Sequence, residues 1–426
     1  MVDKIKTEQL LNMVKEDTVP ALGCTEPVAV AYATSVAKKY LEGTVEKVRI
    51  YVSKNIYKNG KSVTIPNTKE WGLDLAAALG IIGGKSEEGL MVLKNINKNH
   101  IEEAHKILKE GKIKVEIKNP SPDIYVKAVL EDKVDIVEVV IINGHSNISS
   151  IKVNEKSIFK DKDAATNSNS VEFLKGLTFK EIREICEEID IDDLIFIKDG
   201  ITINKEAALR GIESSKGLGL GGALIKLKEK GKIPNDAPTK ARIYTAAGAD
   251  YRMGGGSCPI MTSAGSGNQG IGVILPISIV AEEHNISEER LLRAIFFGHV
   301  INKYVKIYTG KLSAMCGCAI GAGVGVSTAI AWMLDGNDEQ ISGAAQNILS
   351  NLTGMICDGA KATCALKLAT SAEEAVLSAY LALENIIVEP KVGIVGSNIE
   401  ETIKNLGNLS RNGFVKVDQV IIDIIN

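Results

Sequence analysis

Residues 3–15 carry apolar positions at helical spacing. Thr25 to Lys39 repeat the pattern, with Val28, Ala31, Tyr32 and Val36 along one face and Gly43 as a stop. Val45 to Val52 then alternates at period two. Lys114–Ile117, Asp123–Leu130 and Val134–Ile142 alternate in the same way, and Ser149–Val153 adds an edge. Helical patterns at Lys69–Leu79, Glu87–Ile96 and His100–Glu110 fall between these strands. This order predicts an α+β domain over residues 1–160 with a mainly antiparallel sheet. The polar stretch 156–176 reads as a linker. From Phe179 onward helical patterns dominate: Phe179–Ile189, Ile191–Ile197, Asn204–Leu227, Ile277–His284, Glu288–Lys311, Val324–Leu334, Glu339–Leu352 and Ala372–Asn385. They predict a mostly α-helical catalytic domain over residues 175–426, so the fold class is α+β. Glycine clusters at 217–222, 254–256, 265–272 and 317–325 let backbone approach backbone or ligand closely.

Composition narrows the partners. The chain has 426 residues, 45% hydrophobic and 24% charged, enough to bury a large core without staples. A formal net charge of -3 gives no bulk attraction to nucleic acid or anionic lipid, and 4% aromatic residues leave few stacking platforms. Residues Met1 to Glu16 are charged and read as an amphipathic helix rather than a secretory signal. The apolar run 312–334 is long enough on paper to span a bilayer, but Gly317, Gly321, Gly323 and Gly325 with Cys316, Cys318 and Ser327 favour a tightly packed buried segment. The expectation is a cytoplasmic protein without membrane or nucleic-acid partners, with assembly into a homo-oligomer left open. Its seven cysteines then meet a reducing compartment, where metal ligation, catalysis or core packing outweigh disulfides.

Three features carry candidate chemistry. In Ala21-Leu22-Gly23-Cys24-Thr25-Glu26-Pro27, Thr25 suits an N-cap and Pro27 a first helical turn. Cys24 then sits at the positive end of a helix, which favours a reactive thiolate; the plainer reading is a small apolar residue leading into a helix. Cys316, Cys318, Cys357 and Cys364 share the second domain. Thiolates without paired histidines favour an iron–sulfur cluster over zinc, against the alternative of buried cysteines acting as small hydrophobes. Finally, Gly254-Gly255-Gly256-Ser257-Cys258-Pro259 precedes Thr262-Ser263-Ala264-Gly265-Ser266-Gly267-Asn268-Gln269-Gly270. A helix beginning near Gly270 would turn this loop into an anion site, where the alternative is a glycine-rich turn between helices. The same loop resembles the phosphate loop of pyridoxal-phosphate dehydratases, with Lys240 as a candidate Schiff-base lysine. That fold class needs a parallel sheet, and the surrounding residues look helical.

Together the motifs resemble the L-cysteine desulfidase family, related to the iron–sulfur L-serine dehydratases. Gly-Cys-Thr-Glu-Pro at 23–27, Met-Gly-Gly-Gly at 253–256, Ser-Gly-Asn-Gln-Gly at 266–270 and the late cysteines occur in the order of the desulfidase branch. Cys318-Ala-Ile-Gly-Ala-Gly-Val-Gly-Val-Ser is similar to the segment around the dehydratases' first cluster cysteine, and Cys357-Asp358-Gly359 with Cys364 to the others. The spacing between Cys357 and Cys364 is shorter than in the dehydratases and like that of the desulfidase branch. The resemblance implies a [4Fe–4S] cluster on Cys318, Cys357 and Cys364, with Cys316 competing for the first place. It implies Cys24 as catalytic base. The small amino-acid substrate is expected against Thr25, Glu26, Ser263, Gly265, Ser266 and Asn268, in a cleft between the domains. Nothing in it requires Cys186 or Cys258, which default to structural roles.

Overall fold

A computed structural model describes residues 4–161 and 168–425. The alternating segments form a six-stranded sheet in the spatial order Ile113–Ile117, Lys47–Val52, Tyr125–Glu131, Ile136–Ile142, Ile148–Val153 and Lys156–Lys160. Only the pairing of Lys47–Val52 with Ile113–Ile117 is parallel; the others are antiparallel. Inward residues such as Val48, Ile50, Val126, Ala128, Val137 and Val139 are fully buried, as period-two patterning against one covered face requires.

The cover is the helix Thr25–Lys38. Its Ala29, Val30, Ala33 and Val36 pack on the sheet. Its Val28 and Ala31 pack instead with Leu75, Ala76 and Leu79 of the helix Leu73–Gly83. The single apolar face expected from periodicity is therefore a helix buried on two sides, rich in alanine because both neighbours come close. The two helices nearly touch at Gly80, where an added Cβ would lie 2.2 Å from the Ala31 carbonyl oxygen and 2.2 Å from Thr34 Oγ1.

The later residues build a helical body around Ile274, Phe296, Phe297, Val300 and Ala345. The helices Ala237–Met253, Gly267–Glu283, Glu288–Thr309, Gly323–Met333 and Cys364–Leu383 surround that core. Leu10, Leu11 and Val14 of the first helix, Lys4–Asp17, belong to this core rather than to the sheet. The last helix, Val415–Ile425, packs on Lys54–Gly60 beside the sheet. The two chain ends thus cross between the layers.

Several boundaries differ from the sequence expectation. The stretch read as a linker contains the edge strand Lys156–Lys160, all exposed, and the helix Ser168–Lys175; residues 162–167 lie outside the described residues. Lysines on an edge strand look like a linker because they advertise exposure, not lack of pairing. Glu87–Ile96 is not an α-helix but a short 3-10 segment, Ser86–Met91, broken at Gly89. Asn204–Leu227 divides into Ile197–Glu213 and Leu220–Glu229 around Gly217 and Gly219. Among the described residues, no helix is long and apolar enough to cross a membrane. The apolar run at 312–334 breaks into an irregular loop, a π-helical turn at Cys318–Ala322 and a buried helix.

Gly80→Ala is expected to force the two covering helices apart and to destabilise the protein by about 1–3 kcal/mol, the usual cost of overpacking. The thermal unfolding midpoint followed by circular dichroism checks this, against Gly354→Ala, where an added Cβ meets nothing within 4 Å and the midpoint should hold.

Candidate active site

Cys24 is placed by a tie between distant parts of the chain. Pro20 and Ala21 pair antiparallel with Met261 and Ile260. Thr262 extends the tie: its amide donates to the Val19 carbonyl (3.0 Å), and its hydroxyl donates to the Asp17 carbonyl (2.7 Å). The chain then turns at Gly23, whose φ is +67° and where an added Cβ would lie 2.2 Å from Pro66 Cγ, so no side chain fits. The next residue, Cys24, is itself the N-cap of Thr25–Lys38. Thr25, expected there, is the first helical residue.

The helix start does not make Cys24 acidic. The side chain is buried, and its Sγ donates to Glu26 Oε2 at 2.8 Å. Burial, then the neighbouring carboxylate, push the thiol well above its ordinary range, and Arg252 offsets this only in part. Burial also acts to raise the carboxyl of Glu26. His145, the Cys24 and Asn59 hydrogen bonds and Arg252 outweigh it, so Glu26 is held below the usual carboxylate range. The resting arrangement is a thiol donating to a carboxylate, not a free thiolate.

The late cysteines converge on the same place. Met315 and Ile356 form an antiparallel bridge. The Cys316 amide donates to the Met355 carbonyl (2.8 Å) and the Cys357 amide to the Ala314 carbonyl (2.7 Å). Cys318 opens the π-helical turn and Cys364 opens the helix Cys364–Leu383. Π-helical turns recur at functional sites because they re-aim side chains. Lys58, buried, donates to the Cys357 carbonyl (3.0 Å) and pairs with Asp418 of the last helix.

One cavity of about 830 Å³, counting space open to solvent, is lined by Cys24, Cys316, Cys318, Cys357 and Cys364 together. Thr25, Glu26, Ser266 and Asn268 line it as well. Ser263 does not: it is fully buried, and its hydroxyl is held by Asn302 (2.9 Å) and His299 Nδ1 (2.7 Å), which fixes the loop from beneath. Gly265 lines a second, adjoining cavity instead. The helix after the loop begins at Gly267, three residues earlier than expected, with Ser266 as its N-cap. Cys186 lies in the helical core, and Cys258 points toward Glu206, outside the cavity.

The loop also leads to residues the motifs did not reveal. Arg252 lines the cavity, donates to Asn268 Oδ1 (2.8 Å) and keeps a buried Nε without a hydrogen-bond partner among the described residues. Lys306 donates to the Ala264 carbonyl (3.0 Å), and burial lowers its ammonium to about 8. Asn59, Gln269 and Lys367 complete the polar wall. Gln269 lies within the Ser266–Gly270 motif and Arg252 directly precedes the Met253–Gly256 motif; Lys306, Asn59 and Lys367 carry no such signal.

The donor set suits a cluster better than a single ion. Among the described residues, no three His, Cys, Asp or Glu side chains are placed to hold one metal ion. A cuboidal cluster needs no such focus, because each thiolate binds a different iron. Four cysteines around one cavity, with Lys367 and Lys58 beside them, fit that requirement. The hydrogen bond between Cys316 and Cys318 favours the charged form of Cys316 and raises the thiol of Cys318. The pyridoxal alternative loses its lysine. Lys240 pairs with Glu283 (2.5 Å) near the start of the helix that ends by Arg252, about 18 Å away along the axis.

The UPF0597 protein of Clostridium botulinum strain Langeland is 54% identical over 98% of this chain and 96% of its own length. Those of Alkaliphilus oremlandii and Clostridioides difficile are 40% and 39% identical, over 98% of this chain and 97% and 99% of theirs. A sequence profile described as serine dehydratase alpha chain matches residues 87–423, which takes in the loop and every late cysteine but not Cys24. The chain belongs to the serine dehydratase alpha chain family.

Proposed function

We propose that the chain is an iron–sulfur β-eliminating lyase acting on a small L-amino acid, with L-cysteine as substrate and sulfide, pyruvate and ammonia as products. Family membership supports the lyase class and an iron–sulfur cluster. The observation that carries the reading is a single cavity shared by Cys24 and four cysteines from the other end of the sequence. L-serine is the second reading, favoured by the family's own description.

Cys318, Cys357 and Cys364 would hold the [4Fe–4S] cluster, with Cys316 as the competing first ligand. When bound, a cluster with one iron free of protein ligands supplies a Lewis acid for the leaving group. The chain's own residues do the rest. Arg252 and Lys306, with the amides at the start of Gly267–Glu283, bind the substrate carboxylate. Ser266 and Asn268 line the same side and fix the α-carbon's orientation. Cys24, which lines the same cavity, removes the α-proton. The electron pair of the broken C–H bond forms the Cα–Cβ double bond as the leaving group departs with its own pair. The released enamine hydrolyses to pyruvate and ammonia. A sulfur leaving group suits an iron site rich in thiolates, which favours cysteine over serine.

Anaerobically purified protein is expected to show a broad absorbance at roughly 400 nm that air bleaches. It should release sulfide and pyruvate from L-cysteine faster than pyruvate from L-serine; a preference for serine would select the second reading. Cys24→Ala should cost about 10²–10⁴-fold in kcat with the absorbance intact, on general-base magnitudes. Cys357→Ser should diminish the absorbance itself, measured with iron and sulfide content. Arg252→Lys keeps the charge but loses the planar fork, so kcat/KM should fall by about 10–100-fold, the worth of a charged hydrogen bond.

A further inference from the structure

The second cavity adjoins the first, and Glu26 lines both. Its two oxygens face different ways. Oε2 accepts from Cys24 Sγ at 2.8 Å, while Oε1 accepts from Asn59 at 3.0 Å and lies 3.9 Å from His145 Nε2. His145 sits in the turn between the strands Ile136–Ile142 and Ile148–Val153, so the sheet domain delivers it. Its side chain is buried, it lines the second cavity, and Nε2 has no hydrogen-bond partner among the described residues. A buried imidazole nitrogen left unpaired costs free energy, and a functional role is one reason for a fold to bear that cost. The gap of 3.9 Å is one that a bridging water or a small ring movement closes.

We propose that Glu26 and His145 form a proton relay that connects Cys24 to the second cavity. The proposal rests on the lyase reading. The Cys24 S–H bond breaks and its proton passes to the Glu26 carboxylate, leaving the thiolate that the reaction needs. That thiolate takes the substrate α-proton and becomes a thiol again. Glu26 passes the earlier proton to neutral His145, which releases it toward the second cavity, and each turnover exports one proton.

The surroundings suit the outer half of this path, while the first transfer, from a raised thiol to a lowered carboxyl, is uphill and is drawn forward by the α-proton step. Burial holds the imidazole neutral, with its protonation moved down to about 4, so it can accept a proton and gives it up readily. Arg252, Lys306 and Lys311 face the pair and oppose a lasting positive charge on His145; Asp17 offsets Lys306 and Lys311. The relay also gives the sheet domain a part in the chemistry. The turn is fastened at the cavity by Lys311, which donates to the Asn143 carbonyl.

The test compares anaerobic holoenzyme with Glu26→Gln, His145→Gln and the double variant. Iron content and absorbance near 400 nm should be unchanged in all of them. Glu26→Gln should lower kcat by about 10²-fold or more, and His145→Gln by about 10-fold, with KM changed far less. The double variant should be no slower than Glu26→Gln alone, because both residues lie on one path. In Glu26→Gln the solvent deuterium isotope effect on kcat should rise while the effect of α-deuterated substrate falls, since proton export then limits turnover. A purely structural role would move neither isotope effect. If His145→Gln fails to load iron, His145→Asn replaces it. Active wild type with unaltered kcat in the variants, or with losses that multiply, overturns the relay alone. Iron-loaded wild type that turns over no amino acid overturns the lyase reading, and the relay with it.

Discussion

The site depends on a two-residue ribbon. Pro20–Ala21 and Ile260–Met261 pair through their backbones although they are far apart in sequence, and Thr262 locks the joint to Asp17 and Val19. So short a pairing would not persist alone. It persists because both partners are anchored: the loop stands on Asn302 and His299 through Ser263, and the Cys24 segment runs into a helix buried on two sides. The glycine-rich loop and the candidate base are thereby fixed to one another before any ligand arrives, the preorganisation that positioned catalysis demands.

Around this joint burial pushes Cys24 and the three candidate cluster ligands alike toward the neutral thiol, and what differs is the charge beside them. Cys24 lies in a dry corner and is pushed toward its neutral form by burial and by Glu26. The late cysteines sit among Lys58, Lys361 and Lys367, cations that favour anionic sulfur. One wall is suited to handling protons and the other to holding a positively charged metal centre. Helix position alone did not separate them, because Cys24 and Cys364 both stand at helix starts. Charged neighbours decide, Glu26 beside one and Lys361 beside the other.

Much of this is legible in the chain. The alternating segments between Val45 and Val153 encode the sheet, because one covered face imposes a strict period of two. The helices Glu288–Thr309 and Gly323–Met333 follow from their apolar runs, whereas Ala237–Met253 and the first half of Gly267–Glu283, buried on nearly every side, show no such period and are not predicted by it. The motif around Cys24 and the late cysteines point to residues that do meet in space. What stays hidden depends on tertiary approach. Arg252, Lys306 and Asn59 carry no strong local signal, since a single polar residue in a helix looks the same facing solvent or a cavity. His145 is one of five histidines without a pattern, and only the hairpin turn reveals its aim. Ser263 shares the loop's composition and so resembles a substrate contact, yet its hydroxyl points inward to a scaffold. The edge strand Lys156–Lys160 is hidden for the opposite reason: its lysines blunt an open sheet edge and so disguise a paired strand.

Lys58 connects the carbonyl of Cys357 to Asp418, close to the far end of the chain. The wall that presents this cysteine is therefore finished only when the final helix has docked beside Lys54–Gly60. During synthesis the sheet and most of the helical body can assemble while the cavity still lacks that brace. Loading of an iron–sulfur cluster would thus wait for the helix Val415–Ile425, and loss of that helix would be felt first as poor metal retention rather than as general unfolding.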